Sequence, residues 1–206
     1  MRMGTITKQD RAGGAMGYEI AIKRGWKELE KTSSTSSTFE IAVPFLTDVY
    51  LVKPKDRMIS STLGEPLRDE ICILVLHYLI GIRKERSVEK EEWISFREIE
   101  GGISFLPAFE ETVIKPLVGG FDRNPEGLIR NLLHRFGGRT VECGDVGVEI
   151  YPFPEGIIRI VFWKGDEEIP SQATILFDRS LARIFSTEDI AVLLQLLVQK
   201  ALEGVG

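Results

Sequence analysis

The residues best equipped for chemistry lie in Trp163-Lys164-Gly165-Asp166-Glu167-Glu168-Ile169-Pro170, where three consecutive carboxylates follow a glycine and a strongly apolar run. Hard cations such as Mg²⁺ and Ca²⁺ prefer carboxylate oxygens, and carboxylates also serve in general acid–base catalysis. Asp178, just beyond Ile175-Leu176-Phe177, adds a fourth acid if it reaches the same end of a sheet, so Asp166, Glu168 and Asp178 are the candidate metal ligands. Adjacent carboxylates repel, however, and turning them inward without a cation or an arginine is costly, whereas leaving them in water costs little. Catalytic acid pairs also usually come from different elements at a defined separation. A solvated turn is therefore the cheaper reading of Asp166–Glu168. A functional loop stays open, because a connection of about eight residues is longer than an ordinary hairpin loop.

His77 sits in the apolar run from Ile71 to Leu79. A buried imidazole needs hydrogen-bond partners, so a satisfied core histidine competes there with a ligand or an acid–base group. Arg97 follows Trp93 closely, before the pair Gly101-Gly102. Such an arginine clamps a carboxylate or stacks on a flat ligand, while pairing with Glu98 or Glu100 is its plainer use. His134 points away from the apolar face made by Leu128, Ile129, Leu132, Leu133 and Phe136, and reads as solvated. The candidate ligand-binding set is thus His77, Trp93, Arg97, Trp163, Asp166, Glu167, Glu168 and Asp178, provided the fold brings them to one cleft.

Other chemistries are excluded by missing patterns. The sequence has neither G-x-x-x-x-G-K-[ST] nor G-x-S-x-G, and Gly144 and Gly147 are wrongly spaced for a dinucleotide loop. With only Cys72, Cys143 and two histidines, no iron–sulfur cluster or structural zinc is expected within the chain. A net charge of −5 argues against nucleic acid. The longest apolar run is about 12 residues, short of the ~20 that span a bilayer. With no secretory h-region and only two separated cysteines, a cytoplasmic protein is expected, monomer or homodimer. Asparagine occurs only at Asn124 and Asn131, a thermophile-like feature.

The elements that must carry these groups follow from periodicity. Residues 16–31 read as an amphipathic helix after a flexible stretch over 1–15, and the hydroxyl run over 32–38 reads as a connector. Phe39, Ile41, Val43 and Phe45 alternate as a strand, and Val49–Val52 pairs with it as a hairpin. Pro66 opens a helix that is apolar all round to Gly81, a central buried helix. Trp93–Gly102 fits either a strand or a short helix capped by Ser95 and Glu98, with the helix favoured. Helices are predicted over 108–118 and 125–136, then strands around 146–150, 157–163 and 173–177, and a closing helix over 187–202. The expected fold is one α+β domain: an antiparallel sheet, with a late three-strand meander and an early hairpin, packed against several helices.

Four stretches, Pro66–Leu79, Trp93–Phe109, Pro152–Asp178 and Thr187–Leu197, resemble in order and spacing the bacterial and archaeal family known as domain of unknown function 3786. The resemblance covers nearly the whole chain and carries no established activity. Some members look like fusions to a cysteine-rich iron–sulfur domain of the corrinoid-protein type in anaerobes. The first 15 residues here hold no cysteine, so the resemblance implies a separate iron–sulfur or corrinoid-type partner rather than direct electron transfer. The expected function is a non-catalytic binding or accessory domain for a partner protein or cofactor in anaerobic redox or one-carbon metabolism. The alternative is a Mg²⁺-dependent or acid–base hydrolase using the clustered carboxylates.

Overall fold

A computed structural model describes residues 8–32, 39–84 and 92–205, so residues 1–7, the hydroxyl-rich 33–38, the charged 85–91 and residue 206 lie outside the described residues. The chain divides into two compact units, Met1–Val43 with Val49–Lys84, and Pro44–Asp48 with Glu85–Gly206.

The first unit is built on two helices, α1 (Lys8–Thr32) and α2 (Asp69–Lys84). The start of α1 at Lys8 precedes the one expected at residue 16. Trp26 and Leu29 of α1 are buried, as are Leu74–Leu76 and Tyr78–Gly81 of α2. A Cβ on Gly25 would stand 3.1 Å from Leu76 Cδ1, so the glycine lets α2 approach closely. Acids in the first turn of α2 and Arg83 and Lys84 in its last complement the helix dipole. Pro66 does not open α2. The Arg68 carbonyl accepts from Ile71 and Cys72, both at 3.1 Å, and Pro66 stays in the lead-in. A three-stranded sheet runs β1 (Ile41–Phe45), β2 (Asp48–Lys53), β3 (Met58–Ser61), with Val52 opposite Ile59.

The second unit centres on a five-stranded antiparallel sheet of order β4-β8-β7-β6-β5. Its strands are β4 (Trp93–Ser95), β5 (Arg139–Val141), β6 (Val146–Phe153), β7 (Gly156–Trp163) and β8 (Gln172–Asp178). The predicted meander is its core, and β4 and β5 extend it at the two edges. Period-two alternation sends Val148, Ile150, Ile158, Ile160, Phe162, Ile175 and Phe177 to one face, where all are buried. Between the elements, Phe121 stacks on Phe162 with centroids 4.5 Å apart. The ambiguous Trp93–Gly102 segment resolves into both alternatives: β4, then a 3₁₀ turn over Phe96–Glu98 with the Ser95/Glu98 capping box formed.

Helices α3 (Gly102–Phe109), α4 (Lys115–Arg123), α5 (Pro125–His134), α6 (Arg179–Ile184) and α7 (Thr187–Ala201) complete the unit. The C-terminal α7 is deeply buried through Leu193, Leu194, Leu196 and Leu197. A π-helical turn over Glu110–Ile114 joins α3 to α4. Pro116 explains it. A proline has no N–H and its ring clashes with the carbonyl four residues back, here that of Thr112. Widening the preceding turn, so that the Lys115 N–H reaches the Glu110 carbonyl, relieves that clash.

Candidate functional site

The connection from β7 to β8 is an ordered turn built by its own backbone. The Asp166 N–H donates to the Ile169 carbonyl at 2.9 Å. Asp166 Oδ1 accepts from the N–H groups of Glu168 at 2.9 Å and Ile169 at 2.8 Å, the side-chain-capped turn that aspartate favours. Those two N–H groups, Ile169's first, hold the Asp166 carboxyl below its ordinary range. The Gly165 N–H donates to Ser171 Oγ at 2.8 Å, and a Cβ there would lie 2.4 Å from the Ser171 nitrogen, so only glycine fits. The base of the turn is tied to the β5–β6 hairpin, with Lys164 N–H on Asp145 Oδ2 at 2.7 Å and Asp145 N–H on the Phe162 carbonyl at 2.9 Å. Ile169 is thereby left 57% exposed.

This turn forms one wall of a groove of about 850 Å³. The other wall is α5, whose start is fixed by Pro125 in its first turn and by Asn124 Oδ1 accepting from Gly127 N–H at 2.8 Å. The apolar lining comes from Phe121, Pro125, Ile129, Leu133, Val146 and Ile169. Its charged lining is Asp122, Glu126, Asp145 and Asp166 against Arg130 and Lys164, with His134 beside them. A volume of this size and an apolar lining with a few polar groups are the usual properties of a ligand site.

Within the second unit, the sequence-predicted residues do not gather into one cleft. Strands β7 and β8 are antiparallel, with Trp163 opposite Gln172 and Ile158 opposite Phe177. Trp163 and Asp166–Glu168 therefore sit at one end of the sheet and Asp178 at the other, about 20 Å away along six strand residues. Asp178 cannot complete a carboxylate cluster with Asp166 and Glu168. It is buried, opposite Trp93, and its Oδ1 caps α6 by accepting from Ser180 N–H at 2.9 Å. Glu167 and Glu168 are exposed, as is Arg97. Among the described residues no group of three or more His, Cys, Asp or Glu is placed to hold a metal ion. His77 belongs to the first unit, half-buried on α2 beside a hollow of about 470 Å³ whose lining includes Arg24, Lys27, Lys31 and Lys84.

Across the opposite face of the second unit's sheet runs a charged row that no local sequence pattern singles out. Glu149, only 2% exposed, is opposite both Arg139 and Arg159, and each guanidinium donates through Nε and Nη2 to one of its oxygens. Arg159 also lies 4.0 Å over the Trp93 ring, a cation–π contact. Burial alone would raise the Glu149 pKa, but the two guanidiniums outweigh it and hold the carboxyl below its ordinary range.

The family model described as a domain of unknown function (DUF3786) matches residues 28–200. The chain belongs to that family. No curated protein and no solved structure matches it. The match spans the whole lining of the groove and the whole charged row. Among the described residues of this DUF3786 chain, no helix is long and apolar enough to cross a membrane.

A signal for the groove was present in the DUF3786 sequence. The apolar arc of α5 is wider than a core contact needs. Leu128 and Leu132 are fully buried, whereas Ile129 and Leu133, one residue further round, are half-buried and line the groove. His134 is exposed, as its position on the helix predicts, yet it stands at the groove's edge.

Proposed function

We propose that this protein is a non-catalytic binding domain whose ligand or partner seats in the groove between α5 and the β7–β8 turn. The observation that carries this is the apolar lining of a groove of about 850 Å³ whose wall is held by side-chain-to-backbone bonds of Asp166 and Ser171. A preformed wall lowers the ordering cost of binding. The Asp166 carboxylate serves the turn through Oδ1, which favours a shaping role over a catalytic one. The setting is accessory, beside a protein or cofactor of anaerobic redox or one-carbon metabolism.

The test is titration with an apolar fluorescent probe such as an anilinonaphthalene sulfonate, on wild type and on Ile169→Asp. Ile169 is largely exposed, so its replacement leaves the melting temperature within about 2 °C. Saturable binding that weakens at least ~10-fold in the variant supports the groove. Equal binding by both proteins, or no saturable binding, would count against it.

A further inference from the structure

We infer that the groove's occupant is an amphipathic helix of a partner protein, with an apolar stripe flanked by lysine or arginine. This rests on the groove being a binding site and adds what fills it.

Length and width come first. Pro125, Ile129 and Leu133 recur every four residues along the α5 wall, so the groove follows about 12 Å of helix at ~1.5 Å per residue. A partner helix presenting anchors at i, i+4 and i+7 spans ~10.5 Å, a close match. Spread over that ~12 Å, the 850 Å³ corresponds to a cross-section of about 70 Å². A helix about 10 Å across has a cross-section of ~80 Å². The groove's volume is thus comparable to that of about two turns of helix.

Charge supplies the flanks. Four carboxylates, those of Asp122, Glu126, Asp145 and Asp166, face the groove against the two cations Arg130 and Lys164. Glu167 and Glu168 stand exposed on the same turn and add to the field. None of the six charged lining groups is in an ion pair among the described residues. Exposed rim charges of one prevailing sign steer a partner of the opposite sign and select its register. The protruding Ile169 provides the apolar knob that packs between anchors of the incoming helix.

The experiment titrates full-length protein with an amidated peptide of about 14 residues made only of leucine and lysine, with leucines at i, i+3, i+4 and i+7. A matched peptide carries glutamate for lysine, and a scrambled peptide keeps the composition. Binding is read by fluorescence anisotropy, on wild type, Ile169→Asp, Asp122→Lys/Glu126→Lys, and Glu110→Lys/Glu111→Lys, whose two exposed side chains do not line the groove. The lysine peptide is expected to bind wild type at least ~10-fold tighter than the glutamate and scrambled peptides. Both groove variants should weaken it by ~10-fold or more, and Glu110→Lys/Glu111→Lys should leave it unchanged within about 2-fold.

Ile169→Asp separates docking from general attraction. It adds a negative charge, so a merely electrostatic association would tighten rather than weaken. If the glutamate peptide binds as well, or no peptide binds while the apolar probe still responds to Ile169→Asp, the helix proposal falls and the groove reading survives. If neither probe nor peptide responds to Ile169→Asp, both fall. A concentration-dependent dimer abolished by Ile169→Asp would assign the groove to a second copy of the chain and overturn the partner helix.

Discussion

Glu149 offers the sharpest test of what holds the second unit together. Its carboxylate is 2% exposed and accepts four charge-assisted hydrogen bonds, two from each arginine. The two partners differ. The Arg139 side chain is 66% exposed and the Arg159 side chain 24%, so water already competes for the first and much less for the second. Glu149→Gln keeps the shape and removes the charge. Its single carbonyl oxygen can serve one guanidinium, and its NH₂ then faces the other, donor against donor. A buried charge-assisted bond is worth about 1.5–3 kcal/mol, and the solvent-screened link adds little, so the substitution should cost about 2–3 kcal/mol. For a chain of this size that lowers the melting temperature by roughly 5–10 °C.

Calorimetry at pH 7 should rank the losses as Glu149→Gln, then Arg159→Ala, then Arg139→Ala, the last close to wild type. The pH dependence comes from the sign of the shift. A carboxyl held below its ordinary pKa contributes stability that is present above the unfolded value of ~4.3 and is lost as pH falls through the folded value. The gap between wild type and Glu149→Gln should be constant from about pH 6 to 8 and close in acid. An Arg139→Ala loss equal to that of Glu149→Gln, or a gap unchanged at about pH 3, would refute this reasoning.

Three further outcomes are expected. Ser186 Oγ accepts from the Asp189 N–H, and Asp189 Oδ2 accepts in turn from Ser186 at the start of α7; Ser186→Ala should therefore cost about 1 kcal/mol in urea titration, and Ser186→Thr should recover most of it. Gly144 has φ of +62° and its added Cβ would lie 2.7 Å from the Phe162 carbonyl oxygen; Gly144→Ala should cost about 1–2 kcal/mol or more by the same measurement. Burial first, then the charge of Asp69, pushes the Cys72 thiol up to about 11; at pH 8 its alkylation by iodoacetamide should run at least ~10-fold slower than that of free glutathione, and unfolding should abolish the difference.

Much of the fold was legible because it rests on local signals. Alternation in 146–150 and the apolar, β-like runs 157–163 and 173–177 mark the meander, and Asn124-Pro125 and Ser186/Asp189 mark helix starts that the structure keeps. Segments with too few apolar residues to show a period were missed. Strand β3 buries only Ile59 of its four residues, β5 has none buried, and α6 is a six-residue helix set by the Asp178 cap. The site was legible in part. The turn at Asp166 was singled out, and local hydrogen bonding places it as a wall. Its partner wall, α5, lies more than 30 residues upstream, and the link between them is strand register, which no local pattern encodes. Asp178 was misplaced for another reason: it is the last residue of β8, so the antiparallel pairing read from the sequence already sets it one strand length away from the 164–171 connection. Glu149 looked like one polar residue among apolar neighbours, and its two arginines become visible only once β5, β6 and β7 are aligned.

The π-helical turn at Glu110–Ile114 sets the rotational phase of α4. One extra residue in a helical turn rotates everything downstream by about 100° relative to an uninterrupted helix. Phe121, which both stacks on Phe162 and lines the groove, sits less than two turns beyond that phase change. Its orientation is therefore indexed by a residue count as well as by its stacking on Phe162. Removing one residue from 110–114 while replacing Pro116 would restore an unbroken helix and turn the aromatic ring away from its seat. Length in this stretch is consequently constrained more tightly than residue identity, and an insertion or deletion there would reshape the groove without touching it.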